Sequence, residues 1–462
     1  MSNTEYENDT IVALSSPPGR SGVGLIRVSG PHSVNIINSI FKSGSGSEIR
    51  LHDRRATYGF VIHPESGRLI DDGIAVLMPG PGSYTGEDVV ELSLHGSPVI
   101  LNETINLVIS LGARLAQRGE FTRRAFLSGR MDLIQAEAVM ELIEAETAQQ
   151  ADDARMRIDK RLSGEISSLS SWLKDIGAEI EAFLDFDDDE EGVAPHPIDS
   201  LCGIHKQMSD LVKSADSGRF ARRGLTAVII GKPNVGKSTL FNLLLGSDRM
   251  ITSPTPGTTR DPVSEKAYIN GISIRIGDTA GIRQKPDPLE EQGISRTLQW
   301  LDKSDMLLLV TDASSPLDAD DIKLLESAGT KPGLVVINKI DIESGQFHIP
   351  KPLQASHETV RISAREGWGV DELRSAISLL AESIHGSVDF SDRGSLNERA
   401  ILLMRSAAQN VRTAIDLLEK KSALELVSFE IKSACDRIDE ITGGKFTDDV
   451  LDRIFERFCV GK

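Results

Sequence analysis

Hydrophobic and polar positions follow two different patterns in successive blocks of the chain, one typical of strands and one typical of helices. From Thr10 to about Arg123, short apolar runs of strand length are separated by glycine and proline, and one helix is predicted after Pro98 and another after Asp132. This pattern is typical of an α+β domain. The predicted strands are Ile11–Leu14, Gly24–Val28, Tyr58–Ile62, Gly73–Met78 and Val89–Leu94.

The spacing of apolar positions becomes helical from about Arg124 to Ser217 and again near the C-terminus. Apolar side chains three and four residues apart form one face of a helix. The stripes are Leu162, Ile166, Leu169, Leu173, Ile176, Ile180 and Phe183; Ala400, Leu403, Ala407 and Val411; and Leu424, Val427, Ile431, Ala434 and Ile438. Thr447 is predicted to cap a last helix. Because neither block has an obvious partner within itself, we predict one helical bundle built from both.

Between the helical blocks lies a glycine-rich loop in the setting of a phosphate-binding site. The apolar run Thr226–Ile230 leads into Gly231-Lys232-Pro233-Asn234-Val235-Gly236-Lys237-Ser238, and a helical stretch starts at Thr239. Glycines let backbone N–H groups face a phosphate chain at the helix N-terminus. We expect Lys237 to reach the β and γ phosphates, and Ser238 to bind Mg²⁺.

Four further motifs predict which nucleotide is bound. Asp278-Thr279-Ala280-Gly281, Asn338-Lys339-Ile340-Asp341 and Ser363-Ala364-Arg365 each end a predicted strand, and Gly257-Thr258-Thr259-Arg260-Asp261 supplies a threonine that can close over the γ-phosphate. The Asp341 carboxylate can accept hydrogen bonds from N1–H and the 2-amino group of guanine, which adenine does not offer. The five motifs in this order resemble those of the GTPase superfamily, so GTP is the predicted nucleotide.

These patterns predict a multidomain chain in which a GTPase domain is inserted into a helical domain. The expected domains are an N-terminal α+β domain (1–123), a helical domain in two parts (124–219 and 383–462) and an inserted α/β P-loop GTPase domain (220–382). The acidic run Asp185–Glu191 ends the first long helix, and its composition favours a solvated linker over a metal site.

Length, charge and cysteine content narrow the class of protein. A chain of 462 residues with 39% apolar residues suits about three ordinary domains. Cys202, Cys435 and Cys459 are too scattered for a disulfide framework or a zinc site. The polar N-terminus and the strand-sized apolar runs predict a cytoplasmic protein without a membrane segment. A net charge of −18 excludes a protein that grips nucleic acid by charge alone.

The catalytic residues depart from the better-known switch GTPases. Ile282 stands where those proteins carry the glutamine that orients the attacking water. Of the polar residues that follow, Glu290 is the best candidate for that role. The residues also offer no obvious arginine to neutralise transition-state charge. Asn234 and the oxygen-rich loop Ser253-Pro254-Thr255-Pro256-Gly257-Thr258 can instead hold a K⁺ ion beside the phosphates.

Beyond these motifs, four segments give a more specific resemblance over nearly the full length of the chain. They are Ser16–Gly24, Ser83–Glu91, Gly119–Leu127 and the final Cys459-Val460-Gly461-Lys462. With them the chain resembles the tRNA-modifying GTPase family MnmE, also called TrmE. The GTPase motifs alone would not separate this family from ribosome-assembly relatives.

The resemblance implies a homodimer formed through a folate-binding N-terminal domain, and a potassium-dependent GTPase. It also implies a heterotetramer-type complex with the FAD-carrying flavoprotein MnmG (GidA). That complex installs a carboxymethylaminomethyl-type group at C5 of the wobble uridine of tRNA, with a 5-formyl or methylene form of tetrahydrofolate as the one-carbon source. The implied ligands are Asn234, Ser253, Thr255 and Thr258 for K⁺, Ser238 and Thr259 for Mg²⁺, and Arg27, Glu91, Arg130 and Lys462 for folate, with Glu290 orienting the water.

Some alternatives stay open at the level of sequence. Cys459 is either a redox or covalent catalyst or a small packed hydrophobe. A ribosome-assembly GTPase that binds rRNA as a switch is the rival function, although it predicts a basic appendage or a second phosphate loop that the chain does not carry. A folate-binding regulator without chemistry is a third hypothesis.

Overall fold

The computed structural model describes residues 9–44, 47, 49–185, 196–246, 264–270, 272–278, 304–314, 331–342, 357–385 and 395–462. The chain divides into two compact units, one formed by residues 1–141, 157–204 and 406–462 and the other by residues 142–156 and 205–405. Within the described residues, no helix combines the length and the apolar character needed to cross a membrane.

The described helices follow the predicted 3.6-residue patterns and add three that were not predicted, α1, α3 and α9. Of these, α1 and α3 are eight residues each and too short for a clear period. The helices are α1 (Ser33–Ile40), α2 (Pro98–Ser110), α3 (Glu120–Leu127), α4 (Leu133–Glu144), α5 (Ala148–Ile158), α6 (Arg161–Asp185), α7 (Ile198–Arg223), α8 (Lys237–Gly246), α9 (Val370–His385), α10 (Glu398–Glu419), α11 (Leu424–Thr442) and α12 (Asp448–Phe455).

A mixed seven-stranded sheet organises the N-terminal part of the first unit. Its strands are β1 (Thr10–Leu14), β2 (Ser21–Ser29), β3 (Phe41–Lys42), β4 (Thr57–Ile62), β5 (Leu69–Met78), β6 (Val89–Gly96) and β7 (Ala113–Leu115). They lie in the order β3-β4-β5-β6-β2-β1-β7, and β7 pairs with β1 in parallel while the other neighbours are antiparallel. Side chains of α1 and α2 share one hydrophobic core with alternate strand residues, so the helices cover one face of the sheet. The five predicted strands are confirmed.

The long helices of the first unit pack through the predicted stripes. Leu162, Leu169 and Ile180 of α6 are fully buried, as are Val427 and Ile438 of α11, which confirms both stripes. Polar side chains fix the register between the two helices, because Asp439 accepts hydrogen bonds from Ser170 (2.7 Å) and from Lys174 (2.8 Å).

The last helix, α12, is anchored to α3. Thr447 occupies its N-cap position, but its hydroxyl makes no capping hydrogen bond, so that detail of the prediction is wrong. A charged contact takes over, since Arg123 of α3 donates to Asp452 at 2.6 Å. Phe126, Leu451 and Phe455 pack in one cluster beneath this ion pair.

The second unit contains a six-stranded sheet in the order β13-β12-β11-β8-β10-β9. Its strands are β8 (Leu225–Ile230), β9 (Ser264–Ile269), β10 (Ile272–Asp278), β11 (Met306–Asp312), β12 (Gly333–Asn338) and β13 (Glu358–Arg361). All pairings are parallel except that of β9 with β10. Central strands buried on both faces read as continuous apolar runs, as in Leu307–Val310. The carboxyl ends of the parallel strands therefore meet at one edge, where ligands bind in such folds.

Candidate functional site

The phosphate loop follows β8 and is shaped by glycines that admit no side chain. Gly231 has φ +147°, and a Cβ there would lie 2.2 Å from the carbonyl oxygen of Val310. Gly236 has φ +98°, and a Cβ there would lie 2.2 Å from Nδ2 of Asn338. Asn234 also has a positive φ of 65°, a region that asparagine tolerates better than most residues. The loop therefore turns its backbone toward the N-terminus of α8.

Two side chains at the start of α8 carry the chemistry predicted for phosphate and Mg²⁺. Lys237 donates from Nζ to the carbonyl oxygens of Gly231 (2.7 Å) and Lys232 (2.6 Å), so its ammonium lies over the loop. Ser238 and Thr239 are exposed on the first turn. A cation and free N–H groups at a helix N-terminus favour an anion at this position.

Asn338 links the phosphate loop to the two motifs predicted to bind guanine. It ends β12, is 2% exposed, and donates from Nδ2 to the carbonyl oxygen of Val235 at 2.8 Å. Its Oδ1 accepts from the backbone N–H of Ala364 at 2.9 Å. The hydroxyl of Ser363 donates to one carboxylate oxygen of Asp341 at 2.7 Å. The structure thus brings the three motifs together at one edge of the sheet.

Lys339 has a partner that sequence reasoning missed. It has φ +66°, and its Nζ donates to Oδ2 of Asp312 at 2.7 Å. Burial alone would raise the pKa of Asp312, but hydrogen bonds from Lys339 and Ser314 outweigh burial and leave that pKa below its ordinary value. The sequence signal that could have predicted this contact is the position of Asp312 at the end of β11, the strand between β8 and β12.

Several predicted residues of the nucleotide site lie partly or wholly outside the described residues. Asp278 ends β10 opposite Ile229, but its side chain is not described. Arg365 is exposed and its Nε lies 3.6 Å from Glu366. The residues that lie outside the description are Ser253, Pro254, Thr255, Pro256, Gly257, Thr258, Thr259, Thr279, Ala280, Gly281 and Glu290. All the nucleotide, K⁺ and Mg²⁺ contacts therefore remain predictions.

Two of the residues expected to bind folate form an ion pair on the N-terminal sheet. Arg27 of β2 and Glu91 of β6 are register partners, and Arg27 Nη2 lies 2.7 Å from Glu91 Oε1. The Arg27 guanidinium also lies 5.6 Å from the ring centroids of both Tyr84 and Phe121. Both aromatics belong to the segments that carried the family resemblance, but no role was predicted for either.

The C-terminal residues reach the same place. The carbonyl oxygen of Gly461 accepts from Ser15 Oγ (3.1 Å) and from Arg27 Nη1 (3.3 Å), and Phe121 N–H donates to the carbonyl of Lys462 at 3.2 Å. Gly461 has φ +93°, and a Cβ there would lie 2.3 Å from the carbonyl oxygen of Leu14. Burial, and then the charge of Arg27, lower the pKa of Lys462.

The other two predictions for this region have different outcomes. Arg130 is exposed just beyond α3 and lies beside Gly86, because a Cβ added to that glycine would be 3.5 Å from Arg130 Cγ. Its contact with folate remains a prediction. Cys459 is exposed, so the alternative of a packed hydrophobe is wrong. Its carbonyl accepts from the N–H groups of Gly119 (3.5 Å) and Lys462 (3.4 Å). Its proposed catalytic role is untested.

Comparisons with known proteins agree along the whole chain. Residues 10–130 match the family described as GTP-binding protein TrmE N-terminus, and residues 133–459 match the MnmE helical domain. The tRNA modification GTPase MnmE of Acetivibrio thermocellus is 39% identical over 461 residues, covering 99% of this chain and 100% of that protein. The protein of the same name from Thermotoga maritima is 40% identical, covering 98% and 100%.

Among solved structures, a variant of Era from Aquifex aeolicus, bound to GDP and AlF₄⁻, is 31% identical. It covers 40% of this chain and 66% of its own, with a TM-score of 0.27. The match to full-length relatives decides the family. The chain belongs to the MnmE family of tRNA modification GTPases and is a GTP-hydrolysing enzyme.

Proposed function

We propose that this GTPase acts in the modification of tRNA. Together with the flavoprotein MnmG it would add a carboxymethylaminomethyl-type group to C5 of the wobble uridine, with K⁺ required for GTP hydrolysis. The observation that carries the proposal is the match to relatives named tRNA modification GTPase over their full length, including the N-terminal domain.

The residues at the carboxyl edge of the second sheet suit GTP. Gly231 and Gly236 let the loop pack closely on Val310 and Asn338, where a side chain at either position would collide with these residues. Lys237 and the N-terminus of α8 would hold the phosphates, and Asp341, oriented by Ser363, would select guanine. Ser238 and Thr259 would hold Mg²⁺, which neutralises charge on the phosphates. Asn234, Ser253, Thr255 and Thr258 would hold K⁺.

The donor set on the N-terminal sheet suits a folate. Arg27 and Lys462 offer positive charge for the glutamate carboxylates, and Glu91 can accept from the N–H groups of a pterin ring. Tyr84 and Phe121 supply aromatic surface beside Arg27. A tetrahydrofolate bound there supplies the one-carbon unit, and FAD on MnmG supplies the redox chemistry. Arg130 would join this set at its exposed side. We propose that the site is completed by a homodimer of this domain.

Glu290 is proposed to orient the attacking water, because Ile282 has no group that can do so. A residue that acts mainly in the transition state lowers the hydrolysis rate when it is removed, by roughly 10²-fold, with little change in nucleotide affinity. Lys237 would stabilise charge on the phosphates, and Cys459 is proposed as a reactive group beside Lys462.

The test is mass analysis of wobble nucleosides in tRNA from cells that lack this protein. We expect the modified uridine to disappear, to return with the wild-type chain, and to stay absent with Glu290→Ala. Glu291→Ala is the matched control and should restore it. Normal nucleosides in the deletion strain would defeat the tRNA function, and an active Glu290→Ala with an inactive Glu291→Ala would shift the role by one residue.

A further inference from the structure

The ion pair between Lys339 and Asp312 lies at the carboxyl edge of the second sheet, between the two ends of the proposed nucleotide site. Asn338, next to Lys339 in sequence, is bonded to the phosphate loop through the carbonyl oxygen of Val235 at 2.8 Å. Asp341, two residues beyond Lys339, is expected to bind the base. A nucleoside that reaches from Asp341 to the phosphates must therefore cross the sheet edge beside Lys339.

The Asp312 carboxylate is fixed without help from the lysine. Its Oδ1 accepts from the backbone N–H of Ser314 at 2.9 Å and from Ser314 Oγ at 2.7 Å. Its Oδ2 faces Lys339 and accepts from Nζ at 2.7 Å. Since the two bonds from Ser314 orient the carboxylate, Asp312 is a rigid acceptor whose second oxygen is aimed at the lysine.

Lys339, by contrast, depends on Asp312 for its orientation. Among the described residues, Asp312 is the one acceptor for the Lys339 ammonium. A lysine side chain loses a large rotamer entropy when it is ordered, so one fixed orientation needs a partner. Lys339 also has φ +66°, a region that lysine rarely adopts. Such backbone conformations persist where the surrounding structure imposes them, and they cluster at ligand sites.

The ion pair is not needed to hold the two strands together. β11 and β12 are already paired in parallel up to Asp312 and Asn338, and the N–H of Ala313 donates to the carbonyl oxygen of Asn338 at 2.8 Å. The side chains of Lys339 and Asp312 are 31% and 18% exposed, and partly exposed ion pairs contribute little to stability. The consequence of the pair is therefore the orientation of Lys339.

We propose that Asp312 is a positioning residue for guanine nucleotides, which fixes Lys339 so that the aliphatic stem of the lysine packs against the bound nucleoside. The carboxylate occupies the ammonium, so the stem is the part of the side chain left for a ligand, and lysine stems pack well on flat apolar surfaces. Without Asp312 the nucleotide itself would have to order the lysine, which lowers its affinity. The inference rests on the proposed nucleotide site and does not depend on the tRNA function.

The chain offers a nearly isosteric variant and a matched control. In Asp312→Asn the two donors of Ser314 hold the amide oxygen, so the amide N–H₂ group faces Lys339 and cannot accept from it. Lys339→Met removes the ammonium, and the double variant tests whether Asp312 acts through the lysine. Asp305→Asn is the control, because Asp305 precedes the opposite end of β11, where its Oδ2 accepts from the N–H of Thr226 at 2.8 Å.

Stopped-flow release of N-methylanthraniloyl-GDP and steady-state GTP hydrolysis, both with Mg²⁺ and K⁺, measure the effect. We expect Asp312→Asn to release the nucleotide about 10-fold faster and to raise KM for GTP by a similar factor, with kcat within about twofold of the wild type, because binding is lost equally in the ground and transition states. The double variant should bind no more weakly than Lys339→Met alone, and Asp305→Asn should behave as the wild type.

Three results would overturn the assignment of Asp312. They are unchanged release in Asp312→Asn, an equal loss in Asp305→Asn, and losses that add in the double variant. Asp341→Asn in the same assay separates this inference from the nucleotide site on which it rests. Weaker GDP binding in Asp341→Asn with none in Asp312→Asn refutes the positioning role alone, whereas unchanged binding in Asp341→Asn refutes the base site and the positioning role together.

Discussion

Base selection at the residue scale depends on a carboxylate whose orientation is fixed by a neighbour. Ser363 donates to one oxygen of Asp341, so the carboxylate is held where we expect guanine. Asp341→Asn replaces an acceptor by a donor, and we expect preference for guanine to change to preference for xanthine. Competition binding with GTP and XTP measures the exchange. Unchanged preference for GTP would refute the assignment of Asp341.

Asn234 is the residue on which the cation prediction can be tested. Hydrolysis should be faster in K⁺ than in Na⁺ at equal ionic strength, because the larger ion loses its hydration shell more easily among carbonyl and hydroxyl oxygens. Asn234→Ala should remove most of this difference and leave GTP binding largely intact. Steady-state hydrolysis in matched KCl and NaCl buffers gives the answer, and equal rates for the wild type would exclude a K⁺ site.

The charged Lys462 side chain is expected to lower the free energy of unfolding, although we propose that it binds folate. Burial and Arg27 lower its pKa from the ordinary 10.5. Between the folded and unfolded pKa values the unfolded chain binds more protons, so stability rises with pH across that window. Below it, at neutral pH, the charged lysine is unfavourable. Lys462→Met should therefore be at least as stable as the wild type at pH 7, with a difference that shrinks toward pH 10.5.

Calorimetric titration with 5-formyltetrahydrofolate completes this test, with thermal unfolding measured across the same pH range. We expect Lys462→Met to bind at least about 10-fold more weakly, because a charge-assisted contact is lost. Lys445→Met, which removes a lysine paired with Asp436 at 2.6 Å, is the control and should bind normally. A destabilised Lys462→Met with normal folate affinity would show that the lysine is structural only.

The residues whose placement could be predicted are those with a local motif. The eight residues Gly231–Ser238 are enough to predict the loop and the start of its helix, and Asn338 ends an apolar run of strand length. Asp312, Tyr84 and Phe121 were not predicted because their roles come from contacts with residues far away in sequence.

At the scale of elements, α11 ends at Gly443, where any side chain should destabilise the fold. Gly443 has φ +85°, and a Cβ there would lie 2.5 Å from the ring of Phe126. Gly443→Ala should lower the free energy of unfolding by about 1–3 kcal/mol, because the backbone is strained and the aromatic ring must move. Gly444→Ala, whose Cβ would lie 3.6 Å from Asp439 Cβ, should change it by less than about 0.5 kcal/mol. Urea unfolding of both variants distinguishes them, and equal losses would contradict the strain argument.

The period of the apolar positions predicted whether a long segment is a helix or a strand. It did not predict where elements end, or the short helices. The stripe on α6 is long enough that its helical period is unambiguous, whereas α1 and α3 offer about two turns each. α3 spans Glu120–Leu127, so the expected domain boundary at residue 123 falls within a helix. Thr447 marked the start of α12 correctly, although its hydroxyl makes no capping hydrogen bond and Arg123 instead contacts the helix one turn later, at Asp452.

At the scale of the whole molecule, the charge of −18 predicts how the protein meets tRNA. Acidic residues (69) outnumber the 51 lysines and arginines, so repulsion of the phosphates should make binding to tRNA by this chain alone weak, with Kd above about 10 µM at 150 mM KCl and a shallow salt dependence. Addition of MnmG should tighten it by at least about 10-fold. Fluorescence anisotropy at several KCl concentrations measures both. Submicromolar binding by this chain alone, with a steep salt dependence, would contradict this prediction. It would show that lysines and arginines are clustered in a basic patch despite the negative net charge.

The order of the parts along the chain was readable, but the contacts that join distant parts were not. Apolar patterns separate strand-rich, helical and α/β segments, and they predicted that the helical blocks on either side of the inserted domain belong to one bundle. The docking of Gly461 against Ser15 and Arg27 joins residues more than 400 positions apart, and no periodicity reports such a contact.

The different roles of Asn338 and Asp341 have a practical consequence. Asn338 is held by hydrogen bonds with Val235 and Ala364 and by close packing on Gly236. Changing it should therefore weaken binding of the phosphates as well as of the base. Asp341 takes no part in these contacts, so exchanging one carboxylate oxygen for an amide nitrogen leaves them intact. A chain with Asn at position 341 would then use xanthosine triphosphate, whereas GTPases that keep the aspartate would favour GTP. In a cell extract, adding or withholding xanthosine triphosphate would therefore control this chain without changing the activity of those GTPases.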